Sequence, residues 1–99
     1  MTRERDLQRR VAKHIRDRGG YVVNTSGGIH GTNGTPDLVG CYRGKPFAFE
    51  LKAERRTPTP MQEYQLRLAE SAGALVSVIY DVVTVRMLLD DIDRDVVSE

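Results

Sequence analysis

Three residues in the middle of the chain have the types and the spacing of a hydrolytic metal site. Asp37 comes directly before one apolar segment, and Glu50 and Lys52 end the next one along the chain. Two carboxylates that lie close together repel each other unless a cation or a shared proton sits between them. Mg²⁺ takes one or two carboxylates, keeps several waters and binds phosphate oxygens, and a lysine beside it can hold and polarise an attacking water. The pattern therefore predicts hydrolysis of a phosphate ester.

A predicted hairpin positions these side chains, with strands at residues 38–42 and 47–52 and the turn signal Arg43-Gly44 between them. A two-residue turn places Asp37 directly opposite Glu50, so that both side chains point to the same face of the sheet. A three-residue loop with a bulge at the glycine would shift the pairing by one residue and separate them. The alternative without chemistry is an ordinary exposed strand face that carries an acid and a lysine.

The elements around the hairpin predict an α/β domain. Apolar residues at helical spacing indicate a first helix over residues 4–18, ended by Gly19-Gly20, and residues 21–24 indicate a short strand. Thr59-Pro60-Met61-Gln62 has the N-cap, the proline and the glutamine of a helix start. Residues 75–80 are almost wholly apolar, which suits a strand buried on both faces. The predicted helix that starts at Thr59-Pro60 joins this strand to the strand at residues 47–52. A right-handed crossover through that helix makes the two strands parallel, so the sheet is mixed.

Two segments have less regular patterns. In residues 81–99, neighbouring valines favour a strand, whereas an apolar stripe at helical spacing and the N-cap residue Asp81 favour a helix, which we predict.

Residues 25–36 contain four glycines and no apolar periodicity. They lack the Gly-Lys-Ser/Thr of a P-loop, which excludes that type of phosphate-binding loop. A loop of this length in a small domain is usually functional or disordered.

Composition and charge narrow the class of protein. The 99 residues make one domain, residues 1–99, and 39% of them are hydrophobic, which excludes a disordered chain. The single cysteine, the charged N-terminus and the lack of a long apolar run indicate a cytoplasmic protein with no membrane span. Residues 1–20 carry seven basic and three acidic side chains, whereas residues 81–99 carry two and six. A basic end can follow a phosphate backbone, although a solvated helix face is the simpler interpretation.

The ordered set of motifs resembles the VRR-NUC (virus-type replication–repair nuclease) family of the PD-(D/E)xK nuclease superfamily. The residues that carry the resemblance extend over most of the chain: Glu4, Leu7-Gln8, residues 27–34, Pro36-Asp37, Glu50-Leu51-Lys52 and Thr59-Pro60-Met61-Gln62. One mild departure is Thr35, which stands where a larger residue is common and leaves the metal site unaffected. The resemblance implies a restriction-endonuclease-like mixed sheet of about four strands flanked by helices.

The resemblance also assigns roles at the predicted metal site. It implies that Asp37, Glu50 and the backbone carbonyl of Leu51 bind the metal, and that Lys52 positions or activates the attacking water. The expected ion is Mg²⁺, and Mn²⁺ is expected to substitute for it.

Residues outside this centre have weaker assignments. By resemblance, Glu4 would reach the site from the first helix and help to hold a metal or a water, against the simpler interpretation as a solvated helix-terminal acid. Gln62 would orient Lys52 or a phosphate, against a role in helix capping alone. Four further residues are candidates for DNA contact, although solvation explains them as well: Arg55, Arg56, His30 and Asn33.

The resemblance implies a metal-dependent, structure-specific DNA endonuclease, and most specifically a Holliday junction (four-way junction) resolvase that leaves 5′-phosphate and 3′-hydroxyl ends. Stand-alone members are similar to dimeric resolvases, often from phages. We therefore expect a homodimer that acts on branched DNA in the cytoplasm of a bacterial or phage-infected host cell, with the first or last helix at its interface. Two alternatives stay open: a restriction-type or end-processing nuclease of the same superfamily, and a DNA-binding module without catalysis.

Overall fold

One mixed sheet with helices on both faces makes up the domain in the computed structural model, which describes residues 3–25, 33–54 and 56–98. The elements follow in chain order as α1 (Arg3–Asp17), β1 (Tyr21–Asn24), β2 (Leu38–Tyr42), β3 (Lys45–Leu51), α2 (Pro60–Ser71), β4 (Leu75–Ile79) and α3 (Val82–Ser98). The strands lie in the order β1-β2-β3-β4, with antiparallel pairing up to β3 and a parallel pair of β3 and β4. The predicted α/β class with a mixed four-stranded sheet is confirmed.

Local signals set the ends of the helices where the sequence predicts them. After α1, Gly19 adopts a φ of +88°, a left-handed conformation that favours glycine. At the start of α2, the Thr59 hydroxyl accepts a hydrogen bond from the Gln62 backbone N–H at 3.2 Å, and the Gln62 side chain accepts one from the Thr59 N–H at 2.9 Å. Asp81 accepts from the Thr84 N–H at 2.8 Å, and the C-terminal segment is the predicted helix.

The hairpin between β2 and β3 has the two-residue turn. Arg43 and Gly44 both have positive φ, at 49° and 85°, as a type I′ turn requires. Leu38 pairs with Phe49, which is the register expected from that turn, so the bulged alternative is wrong. The ladder continues up to the turn, and β3 therefore begins two residues earlier than the pattern of apolar residues indicates.

The main core lies between the sheet and the pair of helices α1 and α3. Its fully buried members come from the sheet and from these two helices: Val11, Ile15, Leu38, Phe49, Leu51, Ile79, Val85 and Leu89. Helix α2 packs on the opposite face, against β3 and β4. The prediction of a last strand buried on both faces is wrong: β4 is an edge strand and is mostly half-buried. Among the described helices, none is long and apolar enough to cross a membrane.

Candidate active site

Asp37 and Glu50 meet at the end of the hairpin that lies away from its turn. The pairing of Leu38 with Phe49 continues one step outward and sets the two acids opposite each other. An Asp37 carboxylate oxygen accepts a hydrogen bond from the Leu51 backbone N–H at 2.9 Å, which fixes its position. The juxtaposition predicted from the turn is therefore observed.

Glu50 is a buried acid whose charge is not compensated. Its side chain is 1% exposed, and its Oε2 has no hydrogen-bond partner among the described residues. The pKa of Glu50 is raised to about 8, first by burial and then by its hydrogen bond with Asp37 and the charge of that carboxylate, while the charge of Lys52 opposes the shift. A buried acid with an unpartnered oxygen beside a second carboxylate is a costly arrangement in a stable fold. The oxygen donors fit a hard divalent cation, which would lower the cost by favouring the ionised form.

Lys52 is the cation of the predicted site and comes directly after the last residue of β3. Its backbone N–H donates to the carbonyl of Ile79 at 3.0 Å, so the parallel pairing with β4 holds the chain at this point. Its positive charge lowers the pKa of Glu50, which means that the ammonium lies within electrostatic range of that carboxyl. The structure thus brings together all three residues of the predicted chemical centre.

Glu4 reaches the site from α1, as expected, but it has other partners. Its Oε1 accepts a hydrogen bond from the Ala53 backbone N–H at 3.2 Å and lies 3.8 Å from the guanidinium of Arg56. Its charge raises the pKa of Glu50, so it contributes to the negative potential there. Within the described ranges, no group of three or more acidic, histidine or cysteine side chains could hold a metal ion.

The remaining predicted residues are less closely tied to the centre. The Gln62 side-chain oxygen caps α2, so the simpler of its two predicted roles is observed, and orientation of Lys52 or a phosphate stays a prediction. Arg56 is exposed and lies beside Glu4, and Asn33 is exposed in a turn. His30 and Arg55 lie outside the described residues.

Contacts that the sequence pattern does not reveal anchor the segment that carries Asp37. The Thr25 backbone N–H donates to the Asp37 carbonyl at 2.8 Å, which ties the end of β1 to the start of β2. Gly34 has a φ of +82°, and a Cβ there would lie 2.6 Å from the Met61 Cγ and 2.8 Å from the Met61 carbonyl oxygen. Only glycine permits this approach to the first turn of α2. The glycine three residues before Asp37 was the available signal, but its contact partner is distant in the sequence.

Gln8 is a second positioning residue, and the sequence pattern alone assigns it no role at the site. Although polar, it is buried on α1 one turn after Glu4, and its side-chain oxygen accepts a hydrogen bond from the Asn24 amide at 3.1 Å. Asn24 is the last residue of β1 and pairs with Leu38, next to Asp37. The pair therefore joins the helix that carries Glu4 to the strand ends that carry the metal site.

Comparisons with known proteins agree with this geometry. The family model described as archaeal Holliday junction resolvase (Hjc) matches residues 2–74, which include every predicted site residue. A solved structure described as a VRR_NUC domain has 28% sequence identity and a TM-score of 0.75, and the match covers 91% of this chain and 97% of that one. The structure of Archaeoglobus fulgidus Hjc, a Holliday junction resolvase from an archaeal hyperthermophile, shares the fold at 18% identity and a TM-score of 0.61, over 78% of this chain and 67% of that one. None of the curated proteins matches the chain.

Proposed function

The chain belongs to the archaeal Holliday junction resolvase family and is a structure-specific, junction-resolving nuclease, and we propose that its chemistry depends on Mg²⁺ held by Asp37 and Glu50. The predicted membership of the VRR-NUC group of PD-(D/E)xK nucleases is confirmed, as is the predicted resolvase function. Resolvases of this nuclease fold generally depend on a divalent metal.

The observation that carries the proposed metal site is the state of Glu50. A buried carboxyl without a partner for one oxygen, facing a second carboxylate, has no stabilising function in the fold itself. A divalent cation would accept both acids as ligands and favour their ionised forms. We further propose the Leu51 carbonyl as the third protein ligand, because it lies in the chain between Glu50 and Lys52.

The residues of this chain then have separable roles in hydrolysis. The ion would supply positive charge to the phosphate and lower the pKa of a bound water. Asp37, fixed by the Leu51 N–H, and Glu50 would hold that ion at the end of the hairpin. The Lys52 ammonium holds the attacking water in line with the scissile bond. The water oxygen would bond to phosphorus and release a proton to solvent as the bond to the 3′-oxygen breaks, and the 3′-oxygen would take a proton from solvent, so the products carry 5′-phosphate and 3′-hydroxyl ends.

Basic side chains next to the centre favour a DNA substrate. Arg3 and Arg10 line a groove beside the end of β3 that also holds Asp6 and Glu54, and Arg3 forms an ion pair with Glu54. Arg56 is exposed on the same side, next to Glu4. We propose that these arginines contact phosphates that flank the cut, as the excess of basic residues in α1 predicts.

We also propose that the active form is a homodimer. One chain offers one pair of metal-binding acids, and paired cuts across a branched DNA need two sites at a fixed spacing, which a two-fold dimer supplies. The expected setting, the cytoplasm of a bacterial or phage-infected cell, stays a prediction.

A substrate and metal panel tests the proposed function. Labelled four-way junction, flap, single-stranded and duplex DNA of the same sequence are incubated with the full chain in Mg²⁺, Mn²⁺ or EDTA. We expect paired cuts on opposing strands of the junction in Mg²⁺ and Mn²⁺, weak cutting of duplex, and none in EDTA. Preference for the flap, with one strand cut, would favour an end-processing nuclease. Tight junction binding with no cleavage in either metal would favour a DNA-binding module.

A further inference from the structure

The chain turns sharply as it leaves β3, directly after Lys52. The structure describes Ala53, Glu54 and Arg56 of this stretch, here named the post-β3 turn. The Arg56 backbone N–H donates to the Glu54 carbonyl at 3.0 Å, which closes the turn. Glu54 has a φ of +48°, a left-handed conformation that is unfavourable for a residue with a side chain. Such a conformation persists where the surrounding structure imposes it, so contacts from outside the turn maintain it.

Two other elements hold the post-β3 turn, one at each end. At its start, the Ala53 backbone N–H donates to the Glu4 carboxylate of α1 at 3.2 Å. At its end, the Tyr80 hydroxyl donates to the Arg56 carbonyl at 2.7 Å, which is the shorter of the two hydrogen bonds. Tyr80 directly follows Ile79, the fully buried last residue of β4. The tyrosine therefore extends to the turn from a fixed point of the sheet.

The post-β3 turn determines where the Arg56 side chain begins. The guanidinium lies 3.8 Å from the Glu4 carboxylate, which is longer than a hydrogen bond, and the side chain of Arg56 is 74% exposed. An arginine in this state can turn its N–H donors to a phosphate, which its planar fork binds with two hydrogen bonds. The turn thus presents a cation beside the acid that α1 extends toward the metal site.

The hydroxyl is the part of Tyr80 that has a specific partner. The residue is 43% exposed, and it lines the groove that Arg3 and Arg10 also line. A phenylalanine would make the same apolar contacts. Because the acceptor is a main-chain carbonyl, the hydrogen bond of the tyrosine constrains the path of the backbone itself.

We infer that Tyr80 is a positioning residue for DNA binding, whose hydroxyl holds the post-β3 turn so that Arg56 meets a phosphate next to the metal site. The inference rests on the proposed phosphate contact of Arg56. Without the hydroxyl, the turn relaxes from the unfavourable φ at Glu54, and Arg56 must be ordered again when DNA binds. Since Tyr80 acts through Arg56, its loss affects the affinity for DNA and not the chemical step.

The test compares Tyr80→Phe with Tyr42→Phe in the full chain. Each variant removes one hydroxyl that donates a hydrogen bond, at 2.7 Å and 2.9 Å respectively, and keeps the ring. Tyr42 is adjacent to the hairpin turn, at the far end from the metal site. Binding to a four-way junction is measured in Ca²⁺ over a range of salt concentrations, and single-turnover cleavage is measured at saturating enzyme in Mg²⁺. Circular dichroism and the melting temperature report on the fold.

Tyr80→Phe should weaken junction binding by roughly fivefold, the effect of one hydrogen bond, and should leave the rate at saturation unchanged. The slope of log binding constant against log salt concentration should fall by up to about one unit, because one phosphate contact is weakened. Tyr42→Phe should leave affinity, slope and rate unchanged. A purely structural role of Tyr80 would lower the melting temperature and leave the binding of the folded protein unchanged.

A double-mutant cycle shows whether Tyr80 acts through Arg56. Arg56→Ala removes the guanidinium and keeps the carbonyl that accepts the hydrogen bond, and it should weaken junction binding by roughly 10-fold. In the Arg56→Ala background, Tyr80→Phe should have no further effect, because no guanidinium is left to position. Full additivity of the two effects would show that the hydroxyl acts elsewhere and would overturn the inference.

The remaining outcomes separate this inference from the proposed function. If Arg56→Ala weakens binding and Tyr80→Phe does not, the inference is overturned and the phosphate contact of Arg56 stands. The same holds if Tyr42→Phe loses as much affinity as Tyr80→Phe, or if Tyr80→Phe does not fold, since the hydroxyl would then serve the fold. If Arg56→Ala changes neither affinity nor salt slope, the proposed phosphate contact is overturned, and this inference with it.

Discussion

The charged side chains at the two ends of the β2–β3 hairpin have opposite pKa shifts. At the turn end, Asp93 of α3 accepts hydrogen bonds from the Tyr42 hydroxyl at 2.9 Å, from Arg43 at 3.0 Å and from Arg18 at 2.7 Å. The hydrogen bond from Arg43 holds the pKa of Asp93 below its usual range; Tyr42 and Arg18 act in the same direction. This cluster joins α1, the hairpin and α3.

At the open end, Glu50 has the reverse pKa shift, because burial and Asp37 favour its neutral form. The charges at the turn end therefore raise the free energy of unfolding, whereas the two adjacent acids at the open end lower it. Such uncompensated charge is typical of a functional site. The comparison predicts that variants at the open end abolish activity and spare the fold, and that variants at the turn end do the opposite.

The largest expected effect follows loss of a metal ligand. Asp37→Asn and Glu50→Gln each keep the side-chain shape and remove a negative charge, so cleavage of a four-way junction should fall by roughly 1,000-fold or more, since metal ligation supplies several kcal/mol. Single-turnover cleavage and the circular dichroism spectrum are the measurements. Full activity of Asp37→Asn in Mg²⁺ would refute the site, and an unfolded variant would show that Asp37 acts mainly in the fold.

Lys52→Ala sharpens the comparison by separating catalysis from DNA affinity at the open end. Turnover should fall by roughly 100-fold, which is the lower end of the range for a group that assists proton transfer. The slope of log binding constant against log salt concentration should change by about one unit, because one cation is lost. Cleavage at saturating enzyme is compared with binding to the same junction in Ca²⁺. Lys52→Arg is the matched control for charge. If affinity collapsed while cleavage at saturation stayed normal, Lys52 would be a binding residue.

The pH dependence of stability should have opposite signs at the two ends. The pKa of Glu50 is about 8 in the folded chain and 4.5 as the unperturbed value, so the folded state retains a proton that the unfolded state loses in this window. Stability without metal should fall as the pH rises from 4.5 to 8. Glu50→Gln should remove this slope and be more stable near pH 8 by on the order of 2 kcal/mol. Urea unfolding in EDTA at several pH values measures the pH dependence of the free energy of unfolding. An unchanged slope in Glu50→Gln would exclude Glu50 as the source of that dependence.

The smallest effect on activity is expected at the turn end. Asp93→Asn should lower the free energy of unfolding near pH 7 and leave the rate of junction cleavage unchanged, because Asp93 lies at the far end of the hairpin from the metal site. The lowered pKa of Asp93 adds stability above its unperturbed value of 3.8, which is lost as the pH falls through the folded pKa. Tyr42→Phe is the matched variant that keeps the acid. A large loss of cleavage in a folded Asp93→Asn protein would contradict the division between the two ends.

The sequence by itself determined the central part of the site. A two-residue turn and the alternation of a strand suffice to set Asp37 opposite Glu50, because side chains repeat with a period of two along each strand. The threonine, proline and glutamine at the start of α2 likewise determine its first turn through contacts over three residues. These features depend on residues that are close in the chain, so local rules are enough.

Only the tertiary structure decided which partners the remaining residues have. Apolar periodicity places Met61 and Leu68 on one side of α2 but does not decide which side faces the sheet, and the packing of α2 buries Leu66 instead and leaves those two exposed. The hydrogen bond between Tyr42 and Asp93 spans 51 residues, and that between Glu4 and Ala53 spans 49. Such contacts follow from the packing of whole helices on the sheet, and no pattern of neighbouring residues encodes them.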